Sequence, residues 1–144
     1  MKKKILIVAA NFYKVFCNEL IDSAKKELIN FKKVDIIKVP GVFEIPVTIT
    51  RKIKKYDAVV ALGCVIKGET PHFDFISKST TDAIMLLSIT SKKPIGNGII
   101  TCLNSSQASA RTNKGADAAK AVISVLSNKW WNQFLVQKTI QELL

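Results

Sequence analysis

The scarce side chains set the first limit on what chemistry this chain can do. It has a single histidine, His72. An imidazole is the side chain whose ordinary pKa lies nearest neutrality, so it suits proton transfer. His72 lies in Gly63-Cys-Val-Ile-Lys-Gly-Glu-Thr-Pro-His-Phe-Asp-Phe-Ile76, past an apolar run and at the opening of a helical pattern. Its position serves two readings equally, a proton carrier or a plain residue at a helix start. Just before it, Gly68-Glu69-Thr70 is a candidate anion site, because backbone N–H groups at a helix start favour phosphate and a threonine adds a hydroxyl. The Glu69 carboxylate argues against that reading. Arg111, one of only two arginines, could grip a phosphate with parallel hydrogen bonds; an exposed ion pair of little energetic worth is the commoner use. Phe12 follows an apolar run and could stack on a flat heterocycle or serve simply in packing. The adjacent Trp130 and Trp131 look like packing or subunit contact.

These residues need elements to position them, and the apolar pattern supplies candidates. Lys4 to Ala10 is nearly unbroken in apolar residues, as strands covered on both faces are. Val15 to Phe31 carries apolar residues at helical spacing. Val34 to Val39 reads as a second strand, stopped by Pro40-Gly41. Phe43 to Ile53 reads as a short helix, with Pro46 acceptable only in its first turn. Tyr56 to Ile66 is the third strand, Phe73 to Ile89 is helical, and Pro94 to about Leu103 is the fourth strand. From Ser105 the chain reads as one or two helices, broken near Asn113-Lys-Gly115. Strand and helix thus alternate along the whole chain. That order predicts a flavodoxin-like three-layer α/β sandwich, a four-stranded parallel sheet with helices on both faces. Ligands of such sheets bind beyond the carboxyl ends of the strands. The stretches to inspect are therefore Asn11-Phe12, Val39 to Glu44, Cys64 to His72, and Leu103 onward.

Composition narrows the partners. The 144 residues fit one domain, spanning 1–144. Lys and Arg total 22 against 11 Asp and Glu, for a formal net charge of +11. Twenty of the 22 are lysine, only Arg51 and Arg111 are arginine, and the lysines are scattered in small groups along the chain. A nucleic-acid reader relies on arginine for bidentate recognition, so dispersed lysine argues for solvated faces and against a nucleic-acid partner. No apolar run approaches the ~18 residues of a membrane span. The start, Met1-Lys-Lys-Lys-Ile-Leu-Ile-Val-Ala-Ala10, imitates an export signal, but its apolar core is shorter than the roughly 7–15 residues such a signal needs. Cys17, Cys64 and Cys102 are far apart, with no C-x-x-C or Cys/His cluster, which argues against a metal site and for a reduced, cytoplasmic setting. No P-loop or G-x-G-x-x-G sequence occurs.

Three stretches carry a resemblance. Val39-Pro-Gly-Val-Phe-Glu-Ile-Pro46 is similar to the V-P-G-[AS]-[FWY]-E-[IL]-P motif of the 6,7-dimethyl-8-ribityllumazine synthase family, also called the riboflavin synthase beta-chain family. Ala61-Leu-Gly-Cys-Val-Ile-Lys-Gly-Glu-Thr-Pro-His-Phe-Asp74 resembles its A-L-G-x-V-I-[RK]-G-x-T-x-H-[FY]-[DE] motif. Asn113-Lys-Gly-Ala-Asp-Ala-Ala119 resembles its N-K-G-x-[ED]-A-A segment. The three occur in the family's order and span most of the chain.

The resemblance implies a transferase of riboflavin biosynthesis that condenses 5-amino-6-(D-ribitylamino)uracil with 3,4-dihydroxy-2-butanone 4-phosphate, releasing phosphate, with neither metal nor organic cofactor. Residue by residue, it makes His72 the proton donor or acceptor and sets Phe12 against the uracil. Val42, Phe43 and Glu44 would hold the ribityl chain. Cys64, Val65 and Ile66 would bind the pyrimidine mainly through backbone. Glu69 and Thr70 would meet the phosphate through backbone N–H groups, and Arg111, with Lys114 nearby, would supply positive charge. The family's pocket lies between subunits, so Asn97 and Arg111 would come from the adjacent chain. The expected assembly is a pentamer or a set of pentamers, with riboflavin synthase a candidate partner. Asn97 departs from the pattern, standing where the family often has an aromatic. The Arg111–Asn113 connection is shorter than in many relatives. The sequence starts directly at its first strand, whereas capsid-forming members often carry extra N-terminal residues. The competing class is a non-catalytic flavodoxin-like module that binds an anionic cofactor or partner through its basic surface.

Overall fold

A computed structural model describes residues 2–127 and 141–144; Trp130 and Trp131 lie outside the described residues. Four strands, β1 (Lys4–Ala10), β2 (Lys33–Val39), β3 (Ala58–Ile66) and β4 (Ile95–Cys102), form one sheet in the order β2-β1-β3-β4. Every pairing is parallel, with β1 in register Lys4 to Lys33 against β2 and β3 in register Val59 to Ile95 against β4. Helices α1 (Lys14–Glu27), α2 (Ile45–Lys52), α3 (His72–Ser91), α4 (Ser105–Ala110) and α5 (Lys114–Leu126) connect and cover it. This is the three-layer flavodoxin-like arrangement expected from the alternation of strand and helix.

The side-chain period of two divides the central strands between two cores. Ile5, Ile7 and Ala9 of β1 face a cluster with Leu20 and Ala24 of α1 and Ala119 and Val122 of α5. Leu6, Val8 and Ala10 face the other way, against Ile45 and Ile49 of α2 and Ile84 of α3. Ile5 to Ala9 are fully buried, which is why the first apolar run belongs to a strand covered on both faces. Each fully buried Leu or Ile contributes about 1.5–3 kcal/mol of transfer free energy.

Boundaries differ from the sequence reading where local chemistry intervenes. The stretch expected as one helix over Phe43–Ile53 is a 3₁₀ turn at Val42–Glu44, then α2, then a second 3₁₀ turn at Ile53–Lys55. Pro46 lies in the first turn of α2, where its missing N–H costs nothing. The first helix ends at Glu27 with Leu28 as its cap, short of Phe31. After β4 the break falls at Arg111–Thr112–Asn113, and α5 opens at Lys114. Two glycines permit close layers here. A Cβ on Gly115 would strike the Leu20 carbonyl and the Ser23 hydroxyl of α1, and a Cβ on Gly96 would strike the Ala118 carbonyl of α5. Ser23 Oγ donates to the carbonyls of Leu20 and Thr112, each at 3.0 Å, tying α1 to the turn before α5.

Candidate functional site

The strand order dictates where a site can form. From β1 the chain crosses to β2 on one side, and from β2 it returns past β1 to β3 on the other. The loops after β1 and β3 therefore diverge and leave a crevice at their carboxyl ends. A cavity of about 300 Å³ lies among these loops. Phe12 and Tyr13 line it from the β1–α1 junction, and Gly41, Val42 and Phe43 from the turn after β2. The end of β3 contributes Cys64, Val65 and Ile66, and the following segment adds Gly68, Thr70, His72, Phe73 and Ile76.

The local geometry follows from the sequence around each residue. The Asn11 N–H donates to the Val39 carbonyl at 2.8 Å, which carries the β1–β2 pairing one step beyond the strands and sets Phe12 beside the Pro40–Glu44 turn. Phe12 is 74% exposed, and its ring meets Tyr13 edge-on, with centroids 4.9 Å apart and planes at 79°. Tyr13 and Phe16 pack on the α1–α5 core, so one face of this aromatic group is anchored and the other is open. Glu44 does not line the cavity. Its Oε2 accepts from the Gly41 N–H at 3.0 Å, closing the 3₁₀ turn, and it borders a neighbouring groove with Phe43, Pro46 and Val47. Glu69 is exposed between the two cavity-lining residues Gly68 and Thr70. His72 opens α3 and is exposed; its backbone N–H lies 3.5 Å from Thr70 Oγ1.

Cys64 is the wall residue whose ionisation is most altered. Burial pushes its thiol up to about 12, assisted by the charge and hydrogen bond of neighbouring Cys102. Cys102 is also raised by burial, with the Arg111 charge opposing. A thiol held so far above neutrality supplies no thiolate nucleophile at physiological pH. Cys64 is thus a wall of the cavity, and His72 brings an imidazole to the same lining. Among the described residues, no three of His, Cys, Asp and Glu come together as a metal site would require.

Asn97, Arg111 and Lys114 are placed elsewhere. Asn97 is exposed on the edge strand β4, and its Oδ1 accepts from the Ile99 N–H at 3.0 Å. Arg111 and Lys114 border a separate depression of about 440 Å³ with Ile99, Thr101, Asn113 and Asp117. Arg111 ends α4, and its Nη1 donates to the Gln107 carbonyl at 3.1 Å. One chain therefore gathers Phe12, Val42, Phe43, Cys64, Val65, Ile66, Thr70 and His72, and holds Asn97, Arg111 and Lys114 along the outer edge of β4. Sequence reasoning passed over Tyr13, Phe73 and Ile76 as lining residues. Their signal was present: Phe73 and Ile76 are three apart on the turn that carries His72, and Tyr13 is the last residue before α1.

Fold and cavity together define an α/β protein with a crevice at the topological switch point, walled by aromatic and aliphatic side chains and one imidazole. Comparison with known proteins makes the class specific. The model of the 6,7-dimethyl-8-ribityllumazine synthase family matches residues 2–129. A protein of that name from Nitrobacter hamburgensis is 42% identical over 139 residues, covering 88% of this chain and 85% of its own. Namesakes from Agrobacterium fabrum (40% over 141 residues, 89% and 95% covered) and Cutibacterium acnes (38% over 133 residues, 86% and 80% covered) agree. The chain belongs to the 6,7-dimethyl-8-ribityllumazine synthase family.

Proposed function

We propose that this chain forms 6,7-dimethyl-8-ribityllumazine from 5-amino-6-(D-ribitylamino)uracil and 3,4-dihydroxy-2-butanone 4-phosphate, with release of phosphate, in riboflavin biosynthesis. The observation that carries the reading is the cavity at the β1–β3 crevice. It gathers, from three separate loops, the residues that the motifs assign to the heterocycle and to proton transfer. The flat pyrimidine would lie against Phe12, with its edge toward the backbone of Cys64, Val65 and Ile66. The ribityl chain would run toward Val42, Phe43 and Glu44. The carboxylate of Glu44, already accepting from Gly41, retains acceptor sites for hydroxyls.

The chemistry suits this equipment. The amine adds to the ketone and water leaves to give an imine, phosphate is eliminated to leave an enol that becomes a carbonyl, and the ribitylamino nitrogen closes the ring on that carbonyl with loss of a second water. Each step moves a proton, which His72 would give or take. None requires an activated side-chain nucleophile. Much of the acceleration would come from holding two reactants in line. The departing phosphate would meet the N–H groups of Glu69 and Thr70 and the positive charge of Arg111, with Lys114 beside it.

A second copy would supply that last contact. Asn97 stands on β4 and Arg111 borders a depression with Ile99 and Thr101 of β4, and neither lines the cavity that holds His72. The separation supports a site shared between neighbouring subunits. Exposed Phe43 and Val47, and exposed Phe75, Met85, Leu86 and Ile89 on α3, supply apolar surface for such contacts; the expected assembly is a pentamer or a set of pentamers. The test is product formation: mix the purified protein with both substrates and follow the lumazine chromophore. Product from the wild type and its loss in His72→Ala are expected; no product from the wild type overturns the reading.

A further inference from the structure

Cys64, Val65 and Ile66 stand on the largely buried nine-residue strand β3, but Arg111 depends on a helix of six residues, α4, in which only Ala108 is buried. So short a helix has little stability of its own, since isolated helices below about 12–15 residues are marginal even at favourable composition. Side-chain caps therefore carry an unusual share of its order. Asn104 Oδ1 accepts from the Gln107 N–H at 2.9 Å, and Gln107 Oε1 accepts from the Leu103 N–H at 2.8 Å. The two side chains close the first turn reciprocally, as in a capping box. Gln107 also acts at the far end: its backbone carbonyl accepts from Arg111 Nη1 at 3.1 Å. The Arg111 backbone N–H donates to the Ala108 carbonyl at 3.0 Å, which fixes the root of the same side chain.

We infer that Gln107, assisted by Asn104, is a positioning residue that sets the Arg111 guanidinium for a phosphate. The inference rests on the phosphate role proposed for Arg111 above. One N–H of the fork is engaged by the Gln107 carbonyl, and the remaining donors are left for an anion. A long exposed side chain otherwise loses rotamer freedom when it binds; here part of that ordering precedes the ligand. Gln107 itself need touch no substrate.

The experiment is steady-state kinetics on the assembled protein, each substrate varied in turn. Gln107→Ala and Asn104→Ala should each raise KM for the phosphorylated ketone about fivefold, the scale of a lost cap. The values of kcat and of KM for the amine should stay within about twofold. Asn104→Ser, which keeps a cap acceptor, should stay within about twofold of wild type throughout. On an Arg111→Ala background, Gln107→Ala should add nothing, because both act through one group. A fivefold effect that persists on that background marks a merely structural role and overturns the proposal, as does an unchanged KM in Gln107→Ala. If that variant does not fold, Gln107→Met, which keeps length and helix propensity without the acceptor, takes the same measurement. An Arg111→Ala enzyme whose KM for the ketone phosphate equals wild type removes the phosphate reading itself. Arg111→Ala raising KM while Gln107→Ala does not removes only the positioning role.

Discussion

The separation of His72 from Arg111 within one chain makes a quantitative prediction about mixed assemblies. His72 lines the cavity at the β1–β3 crevice, whereas Arg111 borders a different depression at the β4 edge. If a working site takes His72 from one subunit and Arg111 from its neighbour, two impaired variants can complement each other. His72→Ala should lower turnover by about 10²–10⁴, the usual contribution of a general acid–base group. Arg111→Ala should lower kcat/KM for the phosphorylated ketone by about tenfold or more, the worth of a hydrogen bond to a charged group. Now let the two variants be co-expressed in equal amounts and assemble at random. A site is intact only when the subunit supplying His72 is the Arg111 variant and its neighbour is the His72 variant. Each condition holds half the time, so about a quarter of sites are fully wild type in any ring with a repeating head-to-tail interface. The mixture should recover about a quarter of wild-type specific activity, roughly twice or more the Arg111→Ala parent and far above the His72→Ala parent. The assay is lumazine formation under saturating amine, with the two variants carrying different tags so that mixed particles can be purified. Recovery no greater than the mean of the parents would refute a shared site and place both groups in one chain's pocket.

Three further outcomes follow from the structure. Cys64 remains a neutral thiol when folded up to about 12, against an ordinary value of 9.0. Above pH 9.0 the unfolded chain therefore ionises while the folded chain does not, and stability falls as pH rises through that window. Relative to Cys64→Ala, the wild type should lose up to about 1.4 kcal/mol per pH unit there in urea titrations; parallel curves for the two proteins would count against burial of that thiol. Gly115→Ala drives a methyl into the Leu20 carbonyl and the Ser23 hydroxyl of α1, and should cost about 1–3 kcal/mol of unfolding free energy in chemical denaturation; an unchanged midpoint would mean that α1 and α5 are not so closely packed. The net charge of +11 should steer the anionic ketone phosphate, so kcat/KM for it should fall as ionic strength rises; a flat salt profile, at fixed KM for the amine, would assign the charge to solubility alone.

Much of this arrangement was legible in the residues. The apolar run at Ile5–Ala10 could only be a strand covered on both faces, and it is. The Pro40-Gly41 stop, the helical spacing after Tyr13 and the fourth strand after Pro94 all fall within a few residues of their structural limits. The helix over Phe43–Ile53 was less legible because apolar spacing does not distinguish a 3₁₀ turn from an α-turn. The Glu44 carboxylate capping Gly41 decides that, and it is a contact visible only in three dimensions. Arg111 was the hardest case. Its sequence neighbourhood favoured an exposed ion pair over a grip on phosphate, and only the motif resemblance raised it. Its hold on the Gln107 carbonyl comes from the short α4 helix, whose existence depends on two side-chain caps.

By itself the sequence determined the class of fold, the strand-end location of the site and the family, because strand and helix periods and long motifs are local properties of the chain. The tertiary structure decided how those stretches divide. Strand order 2-1-3-4 opens the crevice at β1 and β3 and leaves β4 at the edge. His72 is thereby brought to Phe12, more than fifty residues earlier in the chain, while Arg111 borders a different depression. Spacing along a chain cannot specify this, since which strands become neighbours is settled by burying two apolar faces at once.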